Sequence, residues 1–157
     1  MDDFQLIATS TAGLEACVKR ELTDLGFADV RTLSTGRVGF RADAAGLARA
    51  NLWLRTADRV LLVVGAFAAP DFDALFERTR ALDWARWIPA DGRFPVRGRS
   101  YKSALSSVPA CQRAVKKAVA EKLLAAHGVG ALPETGAGYA IEVAIREDTA
   151  LLTIDTT

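Results

Sequence analysis

FQLIATSTAGLEACVKRELTDLG, residues 4–26, decides how the rest of the chain is read. Its first seven residues are short, apolar and strand-like. The remainder places Leu14, Cys17, Val18, Leu22 and Leu25 on one helical stripe, at three- and four-residue spacing. Gly26 falls where a helix ends on a left-handed residue, a conformation glycine adopts without a Cβ penalty. A strand running straight into an amphipathic helix predicts an α/β unit.

Working outward, ADVRTLS (28–34) and GRVGFRA (36–42) are two short strands around a turn near Thr35-Gly36, a hairpin pattern. DAAGLARANLWLRT (43–56) is a second helix with Asp43 as its N-cap. Trp53 is expected in the core with Leu47 and Leu54. RVLLVVGAF (59–67) closes the series as a long buried strand. The order βαββαβ is that of the ferredoxin-like split.

A second pattern starts at Pro70. DFDALFERTRAL (71–82) reads as a helix capped by Asp71, and WARWIPADG (84–92) as a turn-rich connection in which Trp84 and Trp87 are expected to pack between two subdomains. RFPVRGRS (93–100) alternates Phe94 and Val96 with Arg93, Arg97 and Arg99, and Pro95 argues for a sheet edge. VPACQRAVKKAVAEKLLAAHG (108–128) is the longest helix, with Pro109 in its first turn, Gly128 at its end, and Val115, Ala118, Val119 and Ala126 on one side. A glycine-rich loop, GVGALPETGAG, precedes YAIEVAIR and TALLTID, two alternating strands joined at Glu147-Asp148. The expected architecture is α/β (α+β): a ferredoxin-like unit over 1–67 and a second α/β domain over 68–155.

The 157 residues are half hydrophobic and one quarter charged, with a mean hydropathy of +0.14, which is globular composition. The formal net charge is only +1, but its distribution is uneven. Residues 93–122 hold eight of the twenty Lys and Arg against one of the nineteen acids, Glu121. Such gathering is the footprint of a polyanion site. Cys17 and Cys111 without a secretory signal point to a reducing cytoplasm. No stretch reaches a membrane-spanning length, so no membrane partner is expected.

The basic segment has a local logic. GRSYKSALSS (98–107) reads as a loop feeding the long helix, so backbone N–H groups, serine hydroxyls and the helix start could all meet an oxyanion. Arg113, Lys116 and Lys117 follow on the helix border and outer side. The candidate binding residues are Arg97, Arg99, Ser100, Lys102, Ser103, Arg113, Lys116 and Lys117, with Tyr101 as a ring on which an unpaired base could stack. The plainer reading makes the serines ordinary caps, Ser107 being the N-cap.

Catalytic chemistry finds little support. His127 sits at a helix C-terminus, where the dipole favours a cation. Two cysteines on different elements, without CxxC, do not make a zinc site. The glycine-rich loop lacks a following lysine and precedes a strand, so it is neither a P-loop nor a dinucleotide fingerprint. Asp71 and Asp73 are helix-start residues.

FQLIATSTAGLEACVKREL, NLWLRTADRVLLVVGAF, FDALFE, FPVRGRSYKSALSSVPACQRAVKKA and YAIEVAIREDTALLTIDTT together resemble the N-terminal half of bacterial THUMP-containing RNA methyltransferases. Among these, the large-subunit rRNA guanine-N2 enzymes are nearest. The resemblance implies a ferredoxin-like domain before an RNA-binding THUMP domain, whose limits in the family start near residue 45. It also implies a structured RNA partner, namely rRNA, and a methyltransferase domain on the same or a partner chain that uses S-adenosylmethionine. That domain's glycine-rich cofactor loop and its Asn/Asp-Pro-Pro-aromatic tetrapeptide are missing from these 157 residues, so no cofactor and no enzymatic activity are expected of this chain. Two alternatives stay open: a ferredoxin-like regulatory module for a small anionic ligand, and a protein-docking module for a catalytic subunit.

Overall fold

The computed structural model describes residues 3–157. The chain divides into two units, one running to Val63 and including Asp155–Thr157, the other Val64–Ile154.

The first unit contains β1 (Phe4–Thr9), α1 (Glu15–Asp24), β2 (Ala28–Ser34), β3 (Arg37–Ala42), α2 (Ala44–Trp53) and the start of β4 (Arg59–Ala68). Its strands lie in the order β2-β3-β1-β4, with antiparallel neighbours throughout. This is the ferredoxin-like arrangement that the βαββαβ order predicts. In the central β1, Leu6, Ile7 and Ala8 are all buried, with Leu6 opposite both Phe40 and Leu62.

Helix α1 begins later than its apolar pattern. The Glu15 carboxylate accepts the N–H groups of Gly36 and Gly13, each at 2.8 Å, and so ties the helix start to the β2–β3 turn. The Gly36 bond, foremost, holds the Glu15 carboxyl below its ordinary value. Val18 and Leu22 are buried, whereas Leu14 and Cys17 are exposed, so the inward stripe is narrower than expected.

Helix α2 starts as predicted: Asp43 accepts the Gly46 N–H at 2.8 Å. It also runs close to the end of β3, since a Cβ on Gly46 would lie 2.6 Å from the Ala42 Cβ. The helix buries only Gly46 and Ala50, and ends when Leu54 turns extended (ψ 128°). Trp53, the last residue of the helix, is 58% exposed and not part of the core.

The second unit contains α3 (Phe72–Ala81), a 3₁₀ turn (Trp84–Arg86), β5 (Val96–Tyr101), α4 (Val108–His127), β6 (Ile141–Arg146) and β7 (Thr149–Asp155), whose last residue counts with the first unit. β6 and β7 form a hairpin whose turn residues, Glu147 and Asp148, have φ values of 50° and 61°. That pair matches the twist of the flanking strands. β5 is parallel to β6 and lies at the edge of the order β7-β6-β5. A parallel pair needs a crossover, and α4 supplies it.

The caps fall where the residue types demand. Asp71 accepts from Ala74 N–H at 2.7 Å, Ser107 from Ala110 N–H at 3.4 Å, and Gly128 ends α4 at φ 64°. Cys111, Val115, Ala118, Val119 and Leu123 form the buried stripe of α4, with Ala126 outside it. The glycine at 98 lets α4 sit on β5, because a Cβ there would meet Gln112 Cγ at 3.0 Å and Val108 Cγ1 at 3.1 Å.

Trp84 is wholly buried in the core of this unit, with Leu75, Ile88, Phe94, Val119 and Leu123 in the same cluster, and its indole N–H donates to the Thr79 carbonyl at 2.8 Å. It is thus a core residue of one unit and not the bridging residue the sequence suggests. Trp84→Phe should lower stability by about 2 kcal/mol, from lost volume and a stranded carbonyl, and Trp84→Ala by about 3–5 kcal/mol. Urea denaturation checks this, and equal midpoints for wild type and Trp84→Phe would show that the indole N–H adds nothing.

Candidate functional site

β5 decides where the basic residues go. Phe94, Val96, Gly98 and Ser100 face α4, whereas Arg97, Arg99 and Tyr101 alternate to the opposite face and are exposed. The predicted cluster is therefore divided. Arg97 and Arg99 lie on the open face of the sheet, and Arg113, Lys116 and Lys117 lie on the helix covering the other face. Because β5 is the edge strand, both groups border one rim. Of the segment 98–107 read as a loop, Arg99, Ser100 and Tyr101 belong to the strand itself, which extends one residue past the expected 93–100.

On the open face, Arg99 Nε lies 3.9 Å from Glu142 Oε1, a long ion pair with an exposed arginine. Tyr101 is half exposed and lies opposite Arg146 in the parallel register. Its ring has the Arg146 guanidinium 5.2 Å from its centroid and the Lys102 amine 5.3 Å away. Lys102 takes a left-handed φ of 47°, which turns the chain out of the strand. Arg146 is a neighbour of the candidate site that the sequence reading does not name. The alternation in YAIEVAIR marks it as outward, but only the β5–β6 register sets it against Tyr101.

The serines are spent on the loop. Ser100 Oγ donates to the Leu105 carbonyl at 2.7 Å, and Ser103 Oγ donates to the Tyr101 carbonyl at 3.0 Å while accepting the Asp148 N–H at 2.9 Å. Asp148 in turn accepts the Ala104 N–H at 2.8 Å. The hydroxyl protons of Ser100 and Ser103 are thus committed to carbonyls, and their place is to fix the loop that carries Lys102.

On the helix side, a groove of about 460 Å³ runs between α4 and the start of β5. Pro95, Val96, Pro109 and Ala120 give it an apolar lining, and Gln112, Arg113, Lys116 and Lys117 its polar part. Arg113 and Lys117 are exposed. Lys116 is not a surface cation of the same kind. Its amine donates to the Phe94 carbonyl at 3.0 Å and to Glu134 Oε1 at 2.8 Å, and it sits 3.7 Å from the Phe94 ring centroid. Glu134 also accepts the Phe94 N–H at 3.3 Å. The glycine-rich loop is consequently pinned at Glu134. The hydrogen bond from Lys116, foremost, holds the Glu134 carboxyl below its ordinary value.

The arrangement can hold a chain of anions along an edge. His127 Nε2 is engaged with the Ile88 carbonyl at 2.9 Å, and burial pushes the Cys111 thiol up, keeping it neutral. Among the described residues no three His, Cys, Asp or Glu side chains gather as a metal site, and no helix is long and apolar enough to cross a membrane.

Loss of the Lys116 amine strands the Phe94 carbonyl and frees the loop, so Lys116→Ala should cost about 1–2 kcal/mol, more than an ordinary surface substitution. Because the Glu134 carboxyl is depressed in the folded state, its contribution is complete above the ordinary carboxylate value and lost as pH falls through the lower folded value. Urea midpoints at neutral and acidic pH check both expectations. Glu134→Gln should be less stable than wild type at neutral pH and should show a shallower decline on acidification.

The family description "RlmL ferredoxin-like domain" matches residues 5–61, and "THUMP domain" matches residues 69–155. The "Putative RNA methyltransferase YpsC" of Bacillus subtilis (strain 168) is 48% identical over 157 residues, covering 99% of this chain and 40% of that protein. The ribosomal RNA large subunit methyltransferase K/L of Pseudomonas entomophila (strain L48) is 34% identical over 82% of this chain and 17% of its own. A crystal structure described as a predicted N6-adenine-specific DNA methylase from Listeria monocytogenes strain 4b F2365 superposes with a TM-score of 0.94 at 50% identity, over 99% of this chain and 40% of that one. The chain thus spans well under half the length of these relatives.

Proposed function

Since the chain belongs to the THUMP family and carries an RlmL-type ferredoxin-like domain beside the THUMP domain, we propose that it is an RNA-binding module of a methyltransferase. In this reading it positions structured RNA, of the large ribosomal subunit, for a domain that methylates guanine N2. The observation that carries the reading is the disposition of exposed cations on both sides of one edge strand. Arg97, Arg99, Lys102 and Arg146 stand on or beside the open sheet face, and Arg113 and Lys117 on the helix. A small anionic metabolite needs one pocket, whereas this row spans a strand and several helical turns, the extent of a nucleic-acid backbone.

Recognition would be mainly of phosphate and shape. The available side chains are guanidinium and ammonium groups, and an A-form duplex hides its base edges in a deep, narrow groove. Tyr101, held between two cations, offers a ring face to a nucleotide unpaired at the end of a helix.

S-adenosylmethionine does not suit the groove beside α4. The cofactor carries a sulfonium cation and a ribose diol best met by a carboxylate, while this groove presents Arg113, Lys116 and Lys117, and Glu134 is already paired with Lys116. Methyl transfer therefore belongs to a domain outside these residues. Calorimetric titration of the chain with the cofactor should be flat, and a saturable heat would contradict this.

Binding to a structured large-subunit rRNA fragment should weaken steeply with salt. With four to six phosphates neutralised, at roughly 0.7–0.9 logarithmic units of slope each, affinity should fall about fiftyfold to two-thousandfold between roughly 50 and 200 mM. Arg97→Ala, Arg113→Ala and Lys117→Ala should each lower that slope by about one, leaving the melting temperature almost unchanged. Arg20→Ala, on the exposed side of α1, is the control. If it weakens binding as much as the others, general charge and not the β5 rim is responsible, and tighter binding to duplex DNA would reassign the substrate.

A further inference from the structure

In the first unit, two large apolar side chains are exposed at the end of α2: Leu52, 78% exposed, and Trp53, 58% exposed. They are the last two residues of the helix, of which only Gly46 and Ala50 are buried. An aromatic of this size adds 150–250 Å² of contact when covered, and tryptophan is the residue type most often found to dominate an interface.

The end of the chain is fastened beside them. Asn51, next to Leu52, donates to Thr156 Oγ1 at 3.2 Å. Thr156 donates to the Val60 carbonyl through both its N–H (3.0 Å) and its hydroxyl (2.7 Å), and Thr157 Oγ1 accepts the Val60 N–H at 3.1 Å. Thr157 also lines a small cleft with Ala50, Asn51 and Leu54. Any polypeptide joined to Thr157 therefore emerges at the last turn of α2, beside the exposed pair. The Bacillus subtilis relative is matched over 99% of this chain but only 40% of itself, so most of such a protein is polypeptide beyond these residues.

From these observations we propose that Leu52 and Trp53 are the seat on which the methyltransferase domain of the same polypeptide docks. The inference rests on the proposed function only for the identity of that occupant. The patch is small for two separate proteins, but a short covalent connection raises the effective concentration to about millimolar, so a two-residue anchor suffices. Docking there would hold the catalytic part against the first unit.

The test replaces the matched segment of the Bacillus subtilis relative with this chain and compares the fused protein with residues 1–157. Hydroxyl-radical labelling, read residue by residue by mass spectrometry, should show Trp53 labelled in the chain and protected several-fold in the fusion, with the buried Trp84 unlabelled in both. Leu52→Ser with Trp53→Gln should split a single thermal transition of the fusion into two. Equal labelling of Trp53 in both proteins overturns the proposal, as does an unchanged single transition in the variant. Protection in residues 1–157 that grows with concentration also overturns it, since the seat would then take a second copy. RNA methylation by the fusion is measured in parallel. Methylation with Trp53 fully labelled sinks the docking alone, whereas protection of Trp53 without any RNA methylation sinks the RNA reading and leaves the docking standing.

Discussion

The carbonyl groups of Phe94 and Val96 point away from β6, at the open side of an edge strand, and two side chains of α4 take them: Lys116 Nζ for Phe94 and Gln112 Nε2, at 3.3 Å, for Val96. An edge left with bare backbone groups is a template for unwanted pairing. Here helix side chains satisfy part of it, and Glu134 accepts the edge-facing N–H of Phe94. Much of the second unit follows from this arrangement. The Lys116 amine draws Glu134 to it and so positions the glycine-rich loop, and α4 can lie this close only because residue 98 is glycine. The same closure leaves Arg113 and Lys117 as the exposed cations of the helix side.

The distribution of charge about this edge separates two jobs that look identical in sequence. Lys116 and Lys117 are neighbours, but one is held by a carbonyl, a carboxylate and an aromatic ring while the other is exposed, with its amine 5.8 Å from the Phe76 ring. Desolvating a cation that already has a partner yields little for a ligand, whereas an exposed guanidinium or ammonium releases counterions when a phosphate arrives. A basic segment is thus a mixture of structural and recognition charges, and only the partners of each decide which is which.

That distinction marks the limit of what periodicity could show. Helices α2, α3 and α4 were legible because Asp43, Asp71, Ser107 and Gly128 occupy positions where unpaired backbone groups demand them. The β6–β7 hairpin was legible from its period of two. What the pattern could not contain was pairing at long range. The Lys116–Glu134 contact joins residues eighteen apart across a loop without periodicity, and Arg146 meets Tyr101 only through a parallel register. Trp53 was misplaced as well. Its spacing from Gly46 and Ala50, seven and three residues, suits the buried side of α2, but it is the last residue of the helix and stands exposed. The division of Arg97 and Arg99 from Arg113 needed the strand alternation and the helix placement together.

The membership of Asp155–Thr157 in the first unit has a bearing on how the chain is made. β4 is hydrogen-bonded to residues nearly one hundred positions later: the Val60 carbonyl accepts from Thr156, the Val60 N–H donates to Thr157 Oγ1, and Arg59 pairs with Asp155. During synthesis the βαββαβ segment leaves the ribosome first, yet those bonds cannot form until the whole second unit has emerged. The early unit therefore waits, hairpin and helices assembled but its last strand incompletely bonded, while roughly ninety residues are added at about 5–20 per second. An interval of several seconds with Val60 unsatisfied is a window in which a chaperone, or a ribosome-bound RNA, meets a half-closed domain rather than a finished one.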